Sequence, residues 1–223
     1  MSYELVIENG ILVDPIDGQK RGSIGIKGER IEAVGDGLQG NEHIDAHGCY
    51  VLPGFIDPHV HFRDFEWSHK ETYASGSRAA ANGGVTTVCD MPNLPKTPTI
   101  NRERVLEKIA RAKADGAVDI LVYGGVTKDN IDSLHEMADL VCGYKIFMCE
   151  STGGLYLPEE YLEPAMRRIA ELGKPASVHC EDEIINKRLA EKFKRLPPSL
   201  ERHNMMRPSE SELAAIATAL ECA

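Results

Sequence analysis

The sequence predicts an α/β protein: a (β/α)8 TIM-type barrel, incomplete in this chain at about five βα units, behind a small N-terminal β unit. Three observations carry that expectation. From Val51 onward, a short apolar strand-like run is followed five times by an amphipathic helical stretch, the pattern of a parallel sheet. The first of these strands ends in histidines, not in the Gly-rich phosphate turn that marks a doubly wound sheet. At the length these units take, eight would need roughly 270 residues, the ordinary size of a barrel.

Residues 1–50 read as a small antiparallel unit. Strand-like runs at 3–7, 11–13, 23–27 and 30–34 are separated by turn signals at Asn9-Gly10, Asp17-Gly18, Lys27-Gly28 and Gly35-Asp36-Gly37. Residues 51–223 read as the first part of the barrel. Its strands are expected at 51–60, 84–89, 118–123, 141–148 and 176–179, and its helices at 70–82, 102–115, 130–138, 161–172 and 182–193. A last helix is expected over 208–222. Asn101 is a plausible N-cap, and Gly116 and Gly173 suit C′ positions. Ser209-x-x-Glu212 reads as a capping box ahead of an apolar face of Leu213, Ile216, Ala217 and Leu220.

Composition excludes several classes. Charged residues make up 27% and hydrophobic residues 42%, an ordinary soluble balance with enough apolar material for a core. A net charge of −10 with no Lys/Arg cluster argues against a nucleic-acid partner. No apolar run reaches the roughly 20 residues of a membrane span, so no membrane partner is expected. The six cysteines form no C-x-x-C pair and sit mostly in apolar runs, as free thiols of a reducing cytoplasm do.

The chemistry concentrates at strand ends. In Asp57-Pro58-His59-Val60-His61 the two histidines project from one face of a strand, about 7 Å apart along it. At the C-terminal rim of a barrel such a pair can grip one metal ion; alternatively the two are hydrogen-bonded core histidines. Lys145, in Tyr144-Lys145-Ile146-Phe147-Met148, and His179, in Ser177-Val178-His179-Cys180, end the fourth and fifth strands and so reach the same rim. A lysine inside an apolar strand is costly unless paired with a carboxylate or neutralised, and both remain open.

The run Val51-Leu52-Pro53-Gly54-Phe55-Ile56-Asp57-Pro58-His59-Val60-His61 resembles the first-strand signature of the cyclic-amidase branch of the amidohydrolase superfamily. Phe62-Arg63, Met91-Pro92-Asn93 and His203-x-x-x-Arg207-Pro208-x-Glu210 narrow the resemblance to the dihydroorotases, over essentially all 223 residues. The resemblance implies that His59 and His61 hold one Zn²⁺ and His179 a second. It also implies that Lys145 is N-carboxylated, with its carbamate bridging the two ions. Arg63 and Asn93 would bind the carboxylate of the small-molecule substrate, dihydroorotate or N-carbamoyl-L-aspartate. A homo-oligomer is compatible with this reading.

Two features depart from the pattern. Asp64-Phe65-Glu66 stands where the family usually has Glu-Pro-Gly, which leaves the shape of that loop open. The family's sixth-strand histidine and eighth-strand catalytic Asp would lie beyond residue 223. Rival readings are an allantoinase- or hydantoinase-like amidase, and a dihydroorotase-like scaffold without catalysis. His43, His47, His69 and His135 read as solvated, and Trp67 as a packing residue.

Overall fold

In the computed structural model, residues 2–150 and 152–223 are described. They fall into two compact units, Met1–Gly54 and Phe55–Ala223.

The first unit is a five-stranded sheet. β1 (Ser2–Asp14) pairs antiparallel with β2 (Gly18–Lys27), which pairs antiparallel with β3 (Arg30–Gly35). β4 (Gln39–Asp45) and β5 (Tyr50–Val51) both run parallel to β1, so the unit is mixed and not purely antiparallel as the turn signals suggested. Asn9-Gly10 is not a turn. Both halves of β1 pair with the same β2 across an irregularity between Ile7 and Gly10, where Asn9 takes φ 62°. Asparagine tolerates that conformation, so the dipeptide bulges the strand without reversing it.

The second unit holds five parallel strands: β6 (Phe55–Val60), β7 (Val85–Asp90), β8 (Asp119–Gly125), β9 (Gly143–Phe147) and β10 (Ala176–His179). Their order in the sheet is their order in the chain. A doubly wound sheet reverses order partway, whereas sequential order curls one way, as in a barrel. The sheet is a half-barrel, in agreement with the sequence reading. β6 and β10 end the sheet, and on β6 Phe55 and Ile56 are half or more exposed.

The helices are α1 (Tyr73–Asn82), α2 (Arg102–Asp115), α3 (Leu162–Glu171), α4 (Glu183–Phe193), α5 (Leu200–Met206) and α6 (Ser209–Glu221). The stretch expected as a helix near 130–138 is a 3-10 turn, Ile131–Met137. α5 escaped the sequence reading although Ser199 caps it by accepting from Arg202 N–H. Asn101 caps α2 through Arg104 N–H, as its position implies. The core packs Val122, Tyr144 and Ile146 of the strands against Val105, Leu162 and Ile169 of the helices.

Two expectations for α6 fail. Its N-cap is Pro208, whose side chain has no hydrogen-bonding group, and Ser209, the expected cap, is already the first helical residue. Its buried face is Ser211, Ala215 and Ala219, while Leu213, Ile216 and Leu220 are 66%, 42% and 71% exposed. Among the described residues no helix is long and apolar enough to cross a membrane, and all six cysteines are free.

Candidate metal centre

His59 lies near the end of β6 and His61 just past it, Asn93 lies in the loop after β7, and His179 ends β10. Lys145 is the middle residue of β9, not its C-terminal end as expected. On β6, Asp57 accepts from His59 N–H at 3.0 Å and shapes the strand end. The Nε2 atoms of His59 and His61 lie 3.2 Å apart. Two nitrogens bound to one zinc at about 2.0–2.1 Å and a tetrahedral angle are about 3.3 Å apart. The spacing fits a shared ion as well as it fits the hydrogen bond that links the two rings here.

Asn93, buried in the loop after β7, accepts from His61 Nδ1 at 2.8 Å. That bond fixes the proton on Nδ1 and leaves Nε2 with a free lone pair, the tautomer a metal ligand needs. Burial, with help from the Arg63 charge, pulls the His61 pKa down to about 4 against the bond to Asn93. His59 is likewise held below its ordinary value, first by burial and then by the charges of Lys145 and His179, with Asp57 opposing. Charges on β9 and β10 thus act on a β6 imidazole.

Lys145 is 1% exposed. Its Nζ has one weak contact, Ser177 Oγ at 3.5 Å, and stands 5.2 Å from the Phe147 ring centroid. Among the described residues no carboxylate lies in ion-pair range of it, so the carboxylate-paired alternative drops away. Burial lowers its pKa to about 8. A buried amine without an anionic partner suits conversion to an anion that ligates metal.

His179 is 44% exposed at its side chain, and its Nε2 sits 3.4 Å from Glu181 Oε2. Glu181 was not anticipated; only its place two residues after a rim histidine could have flagged it. Its carboxylate also accepts from Arg207, from Cys149 Sγ at 3.2 Å and from Asn186 Nδ2 at 3.3 Å. Burial pushes this carboxyl up, but the Cys149 bond and the Arg207 and His179 charges outweigh it and hold it below its ordinary value.

Cys149, His179 and Glu181 offer ligand atoms within 4.8 Å of one another. This second donor set suits a cation poorly. Arg207 already neutralises Glu181, and burial pushes the Cys149 thiol up to about 12.

Arg63 lies against Trp67, its guanidinium carbon 5.2 Å from the ring centroid, with Lys70 Nζ at 4.0 Å. The loop that departs from the family pattern is tied down all the same. Phe65 takes φ 62°, a conformation that favours glycine. Asp64, 1% exposed, compensates by accepting from Phe65 N–H, Tyr73 N–H and Arg111. Glu66 accepts from Lys96 N–H, Thr97 N–H and Thr97 Oγ1, joining this loop to the one after β7.

Residues 50–207 match the amidohydrolase family. A dihydroorotase of Halobacterium salinarum is 41% identical over 97% of this chain and 49% of its own length. An allantoinase of Escherichia coli is 35% identical over 87% of this chain and 45% of its own. Among solved structures, the L-hydantoinase (dihydropyrimidinase) from Arthrobacter aurescens superposes with a TM-score of 0.91 at 29% identity, covering 99% of this chain and 50% of that one. The chain thus spans about half the length of the curated relatives it matches.

Proposed function

The chain belongs to the amidohydrolase family, and from that premise we propose that it carries the metal- and carboxylate-binding part of a zinc-dependent dihydroorotase. The reaction is hydrolysis of the ring amide of dihydroorotate by one water to N-carbamoyl-L-aspartate, and its reverse. In this reading His59 and His61 hold one zinc, and His179 contributes to a second. Lys145, N-carboxylated by CO₂ with loss of one proton, would supply an anionic oxygen ligand to the metal site. When bound, the metal pair supplies Lewis acidity, polarising a carbonyl and lowering the pKa of water.

The chain's own residues do the positioning. Asn93 holds the His61 ring through Nδ1. Arg63 offers a planar fork of donors for the substrate carboxylate, while the Asn93 amide NH₂ is free to add another. The single observation that carries the reading is the 3.2 Å approach of the two Nε2 atoms, together with a buried Lys145 that has no anionic partner among the described residues.

The allantoinase relative keeps a second ring in play. Dihydroorotate carries a carboxylate, whereas allantoin and unsubstituted hydantoin do not, so an arginine at position 63 favours the first. The test loads the chain with zinc in bicarbonate buffer and measures binding of the three rings side by side. Preference for dihydroorotate that disappears in Arg63→Ala supports the proposal. Equal or better binding of the carboxylate-free rings contradicts it.

A further inference from the structure

We propose that the buried pair Asp90–Lys108 is a positioning clamp that brings His61 and Asn93 together. Asp90 is fully buried and Lys108 is 2% exposed, and their charges meet at 2.9 Å. Neither has a part in the chemistry proposed above. Their hydrogen bonds lead straight to it. Asp90 accepts from Phe62 N–H at 3.0 Å and from Tyr73 OH at 2.7 Å. Lys108 donates to the Met91 carbonyl at 2.6 Å. Phe62 lies between His61 and Arg63 in the chain, and Met91 lies two residues before Asn93. One ion pair therefore grips the backbone on both sides of the His61–Asn93 hydrogen bond.

The strand ladder alone does not supply this control. β6 and β7 pair Asp57 with Val88 and Val60 with Asp90, three residues on one strand against two on the other. The extra residue falls at Pro58-His59, so regular pairing is lost where the histidines project. Past the irregularity the ladder holds the pair Val60–Asp90 and the bond from Met91 N–H to Val60 C=O at 2.9 Å. A buried ion pair is a poor source of stability, since well-packed apolar residues of the same volume often serve as well. What apolar residues lack is a donor and an acceptor that fix Met91 C=O and Phe62 N–H together. Tyr73, anchored by its own N–H to Asp64, braces the clamp from α1.

The inference rests on reading His61 as a metal ligand only for its consequence, so its test begins without metal. Imidazole ¹⁵N NMR of the metal-free chain should show His61 locked with its proton on Nδ1. In Asp90→Asn/Lys108→Met, which removes both charges together, that resonance should shift toward a mixture of tautomers. Zinc titration of the same variant should give a Kd weaker by roughly 10–100-fold, the usual effect of losing a ligand's supporting partner.

Tyr73→Phe, which deletes one hydroxyl, should move both readouts in the same direction by less, and it keeps the test decisive if the double variant does not fold. Val105→Ala, on the same helix, should lower Tm and change neither. An unchanged His61 tautomer and zinc Kd in a folded clamp variant would overturn the proposal. A wild-type chain with the locked tautomer but no zinc uptake would support the clamp and overturn the metal reading instead.

Discussion

The two ends of the rim are built differently. At the β6–β7 end the backbone around His61, Arg63 and Asn93 is held by side chains: the buried Asp90 at Phe62, Lys108 at Met91 and Asp64 at Phe65, and the half-buried Glu66 at Thr97. At the β9–β10 end the one hydrogen bond of Lys145 among the described residues is the weak contact with Ser177 at 3.5 Å, and His179, nearly half exposed, is met by Glu181. Buried polar groups are normally satisfied, and a buried charge costs several kcal/mol when it is not. The difference teaches where an outside group is needed. The tied-down end is preorganised, and the looser end is where the proposed carbamate and metal would complete the bonding.

The largest expected effect comes from the loose end. Lys145→Ala should abolish uptake of a second zinc and weaken the first by more than the roughly 10–100-fold typical of an outer partner; zinc content by atomic absorption with and without bicarbonate checks it. Two zinc ions per chain in that variant would break the contrast. Next, Asn93→Ala frees the His61 ring and should weaken zinc binding by about 10–100-fold, read by competition with a chromophoric chelator.

Arg63→Ala should leave zinc content alone. It should weaken N-carbamoyl-L-aspartate binding by about 10-fold or more, as expected for a hydrogen bond to a charged group worth roughly 1.5–3 kcal/mol, measured calorimetrically. Loss of zinc in that variant would mean that Arg63 belongs to the tied-down framework and not to the substrate.

Asp64→Ala tests the framework itself. It strands the buried Tyr73 N–H and should cost about 1–3 kcal/mol, seen as a lower urea midpoint. Desolvation pushes the Asp64 carboxyl up, but the N–H bonds from Tyr73 and Phe65 and the Arg111 contact hold its pKa below the ordinary 3.8. Its contribution is therefore complete above that value and is lost as the pH falls through the lower folded pKa. The gap between wild type and Asp64→Asn should narrow in acid below about 3.8.

The half-barrel was legible in the sequence, and so was the choice of His59, His61, Lys145 and His179 as the proposed ligands. Period-2 placement puts two histidines on one strand face, and an apolar strand makes its lysine conspicuous. What stayed hidden depends on contacts between distant segments. The role of Asn93 toward His61 spans 32 positions, and that of Glu181 toward Arg207 spans 26.

Lys108 did leave a trace, a charge on the buried face with Val105 and Ala112. Helical spacing alone could not reveal that Asp90 would meet it. α6 shows the opposite failure. Its leucines are spaced as a core face, yet the packed side is serine and alanine, because the close approach of Ser211 to Asp182 favours small residues there.

Zinc-edge anomalous diffraction from crystals grown with zinc and bicarbonate tests the central claim most directly. The account predicts one peak about 2.0–2.1 Å from both His59 Nε2 and His61 Nε2, a second beside His179, and carbamate density on Lys145 between them. Zinc bound instead by Cys149 and Glu181, with an unmodified Lys145 and bare histidines on β6, would contradict it.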